Sequence, residues 1–202
     1  MDIPTNYTAH HKICAKNNPR AAILISNNIN QNILYHDNLS DRDTCTISHR
    51  DPNDINKRTY ICSAYMPYEE EIVNSKLIEV LKHTENTEQG LLICADTNSR
   101  SQAWGNKITN KRGIDLQEIL DEYGLKIENQ THNPTWEARG SKTTIDLTIS
   151  NVFAPSVHKW EILPNASYSD HHYIQFQCKN TGFKESKLTK YNLKKNECEK
   201  IQ

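Results

Sequence analysis

Apolar residues along this chain come in short blocks, and their spacing switches between every second position and every third or fourth. Residues 1–20 are polar and weakly basic, and nothing before Arg20 reads as a strand. "RAAILIS" (20–26) is a continuous apolar run, predicting a strand buried on both faces. "DTCTISH" (43–49) alternates and is rich in β-branched residues; "TYICSAY" (59–65) follows a turn-forming stretch, "RDPNDINKR" (50–58). In "PYEEEIVNSKLIEVLKHT" the proline, the acids behind it and apolar residues at 73, 77, 80 and 81 predict an amphipathic helix opening at Pro67.

"GLLICAD" (90–96) predicts a buried strand that ends in a carboxylate. A second helix is marked by Leu116, Ile119, Leu120 and Tyr123, with Gly124 placed to end it. Further strands follow in "LKIEN", in "PTWEARGSKTTIDLTIS" on either side of a glycine turn, in "VHKWEIL" and in "HHYIQFQC". Strands outnumber helices and the helices fall between strands, which predicts a layered α/β domain built on β-sheet.

With 202 residues the chain suits one domain over 1–180, leaving 181–202 as a basic tail or linker. A net charge of -1 means that any contact with a polyanion must be local. Six scattered cysteines without a CxxC pair read as free thiols of a reducing compartment, nuclear or cytoplasmic. No apolar run approaches a membrane span.

Four places carry candidate chemistry. Asp96 and Asn98 sit at a strand's carboxyl end, where an acid and an amide suit a hard cation or a phosphate; taken alone, an Asx turn capping the strand is the simpler account. Asp146 lies among Ile145, Leu147 and Ile149 in what reads as mid-strand, and a desolvated carboxylate there needs a partner, either a structural cation or a histidine. Tyr65 closes its strand as a packed aromatic or as a phosphate ligand. Asp170 and His171 stand together in "NASYSDHHYIQF", at the entrance to the last strand, as a capped turn or as half of a site.

The order of these pieces is more specific than any one of them. "CADTNSRSQAWGNKITNKRGIDLQEILDEYGLKIENQTHNPTWEARGSKTTIDLTIS", followed by "YSDHHYI", resembles the endonuclease/exonuclease/phosphatase family. Within it the chain is similar to the endonuclease domain of non-LTR retrotransposon polyproteins, over roughly residues 18–178. The resemblance implies a layered β-sandwich flanked by helices and a Mg²⁺-dependent (or Mn²⁺-dependent) DNA endonuclease, in the family fused to a reverse transcriptase. It implies Asp96 as base or orienter of the attacking water, with Asn98 holding that water or the phosphate. Tyr65 would bond a phosphate oxygen, Asp146 would pair with His171, and Asp170 would lie on the metal side. Trp104, Thr135, Trp136, Arg139 and Lys142 would lie at the DNA-facing rim, although a solvated turn explains a cation at a hairpin tip just as simply.

Two departures bear on function. The family's metal-ligand glutamate, in a "QE" strand near the start, has no counterpart here: the first glutamate is Glu69 and Asp2 is the only acid before Asp37. The family's "GDFN" reads "ADTN". The expectation is a domain lacking its first strands. The alternative function is a catalytically impaired remnant or nucleic-acid-binding module.

Overall fold

Backbone hydrogen bonding sorts the chain into one large sheet and three hairpin-like pairs of strands. The computed structural model describes residues 5–179 except 15–17, 52–53, 71, 132, 164–166 and 168; the tail expected over 181–202 lies outside the described residues. The strands are β1 (Tyr7–His10), β2 (Ile23–Ser26), β3 (Ile33–Tyr35), β4 (Thr44–Arg50), β5 (Arg58–Tyr65), β6 (Gly90–Asp96), β7 (Lys126–Ile127), β8 (Trp136–Ala138), β9 (Ser141–Thr143), β10 (Asp146–Ser150), β11 (Val157–Ile162) and β12 (Ile174–Cys178). The helices are α1 (Ser75–Asn86) and α2 (Lys111–Glu122).

Six strands form the main sheet in the order β3-β4-β5-β6-β10-β7. Its one parallel pair, β5 with β6, needs a long crossover, and α1 supplies it. Side chains alternate across the sheet. Tyr60, Cys62, Ala64, Leu91, Ile93, Ala95, Leu147 and Ile149 join a core with Leu77, Val80 and Leu81 of α1 and Leu116 and Leu120 of α2. On the other face Leu92 packs with Val157 and Trp160 of β11 and with Ile174 and Phe176 of β12, and the Trp160 indole N–H donates to Thr148 Oγ1 at 2.9 Å. The sandwich therefore has helices on one face and strand pairs on the other. β1–β2 lies beside β4, where Cys45 Sγ donates to His10 O.

Several elements differ from the sequence expectation. A strand does precede Arg20: β1 pairs antiparallel with β2, from Tyr7 opposite Ser26 to His10 opposite Ile23. Four residues are too few to show a period, and the pairing partner defines the strand. β2 is buried on one face alone, since its partner is this short ribbon; Ile25 is buried while Leu24 is exposed. α1 starts at Ser75, not Pro67, because Asn74 caps it, accepting the Leu77 N–H at 2.8 Å. The four apolar positions expected of that stretch, Val73, Leu77, Val80 and Leu81, are all buried. Cys14, Cys45, Cys62, Cys94 and Cys178 are free thiols. Among the described residues no helix is long and apolar enough to cross a membrane.

α2 is fixed at both ends. Asn110 accepts the Gly113 N–H at 2.9 Å at its start. At its end Gly124, at φ +59°, lets the Leu125 N–H reach Leu120 O at 2.8 Å. Gly113 is required by space: a Cβ there would stand 2.0 Å from the backbone oxygen of Arg100. Backbone cannot swing aside as a side chain can, so Gly113→Ala is expected to destabilise the fold by about 3 kcal/mol despite alanine's better helix propensity. Urea denaturation of the two proteins checks it.

Candidate active site

The parallel register of β5 and β6 sets Tyr65 opposite Asp96, and the antiparallel register of β6 and β10 sets Asp96 opposite Asp146. Three adjacent strands thus place Tyr65, Asp96 and Asp146 in one row across an end of the sheet. With a side-chain period of two, all three stand on the face away from the helices. They line an open cleft of about 430 Å³ together with Arg20 and His171. Ser63, Cys94 and Thr148 form its floor, and Ile174 and Phe176 of β12 form one wall.

Asp146 is not in mid-strand as expected but begins β10. The reason lies in Thr135, whose Oγ1 accepts the N–H groups of Ile145 (3.1 Å) and Asp146 (3.0 Å). The Thr144 N–H goes to Asn106 Oδ1 at 3.0 Å. With three successive donors bonded to side chains, the strand that began as β9 is interrupted and restarts at the carboxylate.

His171 reaches the row from the opposite direction. Trp136 and His171 form a β-bridge, the Glu137 N–H donates to Asp170 O (2.8 Å), and the His172 N–H donates to Thr135 O (2.8 Å). The segment is thereby tied to the β8–β9 hairpin. His171 Nδ1 lies 3.0 Å from each carboxylate oxygen of Asp146, and Nε2 lies 3.9 Å from Asp96 Oδ2. The Asp146 hydrogen bond and charge raise the imidazole's pKa above its ordinary value, against its partial burial. Asp96 is pushed up to about 6, first by burial and then by the negative charge of Asp146. Each of Asp96, Asp146 and His171 offers a ligand atom, and these atoms all lie within 4.8 Å of one another.

The other expected site residues fall differently. Asn98 adopts a left-handed backbone at φ +48°, and its N–H donates to Asp96 Oδ1 at 3.2 Å, so the strand end is also an Asx turn. One of its amide N–H groups is committed to Met66 O at 3.2 Å. Asp170 is exposed and stands outside the ligand cluster; what reaches the site is its charge, felt at His171. Trp104 and Thr135 do not face outward as the rim position requires: Trp104 is packed into the helix-side core at 2% exposure, and Thr135, at 0%, anchors β10. Arg139 and Lys142 are exposed on the β8–β9 hairpin, with Lys142 Nζ 2.9 Å from Glu137.

A family model described as endonuclease-reverse transcriptase matches residues 59–175, more than half of the chain. The chain belongs to the endonuclease–reverse transcriptase family. Among solved structures, the endonuclease domain of TRAS1, a telomere-specific non-LTR retrotransposon, superposes with a TM-score of 0.72 at 20% identity. That match covers 86% of this chain and 80% of the TRAS1 domain. It establishes the mixed α/β fold expected from the sequence. The human Nocturnin catalytic domain (TM-score 0.48, 13% identity, 77% and 63% covered) and a Bacteroides thetaiotaomicron mannosyl-6-phosphatase (0.43, 10%, 77% and 69%) are more distant and add nothing to the argument. No curated protein sequence matches the chain.

The family match spans the strands that carry Tyr65, Asp96 and Asp146, and it includes His171. Two supporting residues were not singled out from sequence. Arg112, in the "RG" pair that opens α2, donates to the carbonyls of Met66 (3.2 Å), Tyr68 (3.3 Å), Glu70 (2.7 Å) and Thr97 (3.2 Å). It pins together the loops that leave β5 and β6, directly behind Tyr65 and Asp96. Its place in "NKRG", inside the stretch that carries the family resemblance, is the signal that marks it. Arg20 is the other; its position is set by residues far away in sequence, and no local pattern reveals it.

Proposed function

We propose that this domain is a divalent-cation-dependent DNA endonuclease of a non-LTR retroelement polyprotein, acting by phosphodiester hydrolysis. The observation that carries the reading is the Asp96–Asp146–His171 cluster, with His171 Nδ1 bonded to both oxygens of Asp146 inside an open cleft. The Asp146 contact supports the tautomer or imidazolium with a proton on Nδ1, leaving Nε2 turned toward Asp96 and the cleft. As imidazolium, His171 donates from Nε2 to the phosphate oxygen on which charge grows. Asp96, ionised above about pH 6, orients the attacking water and accepts its proton. The Tyr65 hydroxyl bonds a non-bridging oxygen, and Asn98, at the same strand end, helps to hold the water.

The donor chemistry fits a hard cation. Asp96 and Asp146 crowd two carboxylates into a partly buried place, and the burial and like charge that raise the pKa of Asp96 are costs that a cation there would relieve. Mg²⁺ or Mn²⁺ would be held by Asp96 and waters, with Asp170 on the outer side; when bound it supplies Lewis-acid stabilisation of phosphoryl charge.

A second reading, a nucleic-acid-binding module with impaired catalysis, is favoured by one observation. Asp146 gives both oxygens to His171, so Asp96, whose Oδ1 also accepts the Asn98 N–H, is the one carboxylate of the cluster not paired with the imidazole Nδ1. A supercoiled-plasmid nicking assay separates the two. Nicking that is absent in EDTA, restored by Mg²⁺ or Mn²⁺ and abolished in His171→Ala supports the enzyme. DNA binding without nicking under any of these cations supports the module.

The same groups fix the pH response. Activity needs Asp96 ionised and His171 protonated, so the rate is expected to rise through about pH 6 and to fall again above the ordinary imidazole value of 6.5. A bound cation favours the Asp96 carboxylate, and raising its concentration is expected to move the acid limb to lower pH. Single-turnover nicking across pH at two Mg²⁺ concentrations measures both limbs.

A further inference from the structure

We infer that Arg20 is the phosphate anchor of the cleft, locked in place by Asp43 and taking a non-bridging oxygen of the bound phosphodiester through its Nη1 N–H groups. The inference rests on the DNA reading above and adds a residue to it. Two carboxylates line the cleft, and an anionic strand entering it needs fixed positive charge. Among the described residues that line it, Arg20 alone carries that charge at every physiological pH.

The placement is rigid. The Arg20 Nε and Nη2 groups fork onto the two carboxylate oxygens of Asp43, the Nη2 bond being 2.6 Å. Asp43 is itself fixed, its N–H donating to Asp41 Oδ1 at 2.9 Å. The Asp43 carbonyl accepts the Tyr65 N–H at 2.8 Å, so one residue sets both the guanidinium and the tyrosine of the cleft. The guanidinium carbon lies 4.9 Å from the centroid of the Tyr65 ring. Glu70 lies 3.5 Å from Nη2 on the outer side. Nη1 donates to no described residue, and the side chain keeps 28% of its exposure. An ion pair that merely braced β2 against β4 would have no need of a place on the cleft wall beside the reacting groups, or of an unspent pair of donors.

The test uses the full chain carrying Asp96→Asn, which silences cleavage, in EDTA. Anisotropy of a labelled DNA duplex is titrated over a range of KCl. Adding Arg20→Gln is expected to weaken binding about tenfold and to lower the slope of log K against log salt by about 0.9, one phosphate contact. Arg20→Lys is expected to keep the slope and lose part of the affinity, because lysine carries the charge without the fork. Asp43→Asn, which unlocks the guanidinium, is expected to behave like the lysine variant. In a parallel arm inorganic phosphate is expected to raise the melting temperature of the parent chain but not of Arg20→Gln. Unchanged affinity and slope in Arg20→Gln, with equal protection by phosphate, would overturn the inference and leave Arg20 a structural brace. If Arg20→Gln does not fold, an Arg20→Lys protein with undiminished affinity overturns it in the same way. If no variant binds DNA but phosphate still protects the parent selectively, the anchor stands and the DNA reading falls.

Discussion

Replacing Asp96 by asparagine is expected to slow plasmid nicking by about a thousandfold or more and, at the same time, to make the cation-free protein more resistant to heat. Both effects come from one charge. The carboxylate is wanted by the reaction and unwelcome to the fold: burial and the neighbouring Asp146 push its pKa up to about 6 from 3.8. A group whose folded pKa is raised in this way stabilises the protein fully below its unfolded value. That contribution is lost as the pH rises through about 6 and the charge appears. A shift of about two units corresponds to roughly 3 kcal/mol, which partial exposure and solvent screening reduce to about 1–2 kcal/mol. Asparagine keeps the shape and removes the charge. At pH 7.5 in EDTA the variant is expected to melt roughly 2–8 °C above the parent, and at pH 3.5 the difference is expected to vanish. Calorimetry at the two pH values, beside nicking in Mg²⁺, measures the exchange of stability for activity.

Asp146→Asn is expected to cost about a thousandfold in nicking while leaving the fold intact. The side chain begins β10 through its backbone, whose N–H is held by Thr135 Oγ1, and that bond does not depend on the carboxylate. What is lost is the charge against His171 Nδ1, now 3.0 Å from both oxygens. Its first consequence is on the imidazole, whose pKa falls back from its raised value. The basic limb of the pH–rate profile therefore moves to lower pH in the variant. Nicking across pH, together with the histidine proton signals in NMR, separates this from a general loss of structure. An unchanged rate would take Asp146 out of the mechanism.

What the sequence made legible, and what it hid, follows from where each structural signal resides. "GLLICAD" gives β6 residue for residue, because both of its faces meet apolar cores, and "TYICSAY" misses β5 by one, because alternate residues of β5 enter the helix-side core. Tyr65 and Asp96 are visible for a related reason, since each closes its strand's apolar run, and Asp146 because a carboxylate interrupts one. β1 was invisible, since a four-residue strand is defined by its partner. The opening of α1 was placed early because Glu69 and Glu70 mimic an acidic first turn. Arg112 instead takes the carbonyls of Tyr68 and Glu70 as acceptors and holds that stretch as a loop. Thr135 and Trp104 lie inside, not at a rim, and the sequence motif does not reveal it, because a motif gives order along the chain but no depth. A threonine whose hydroxyl serves two backbone donors, and an indole in the core, look no different in sequence from exposed ones. The Arg20–Asp43–Tyr65 grouping lay beyond reach, joining three strands' worth of chain through contacts that no local period encodes.

The base of the β8–β9 hairpin is built into the end of the sheet that carries the candidate site, through Thr135 under Asp146 and through the bridge from Trp136 to His171. Its tip, Arg139–Gly140, is exposed and in left-handed conformations, at φ +51° and +77°, so the backbone of Gly140 favours glycine although a Cβ there would meet no atom within 4 Å. A change to the side chain of Arg139 at the tip leaves the Tyr65–Asp96–Asp146 row untouched, while a change at the base does not. The hairpin thus separates a fixed foundation from a tip whose side chains, Arg139 among them, face open solvent.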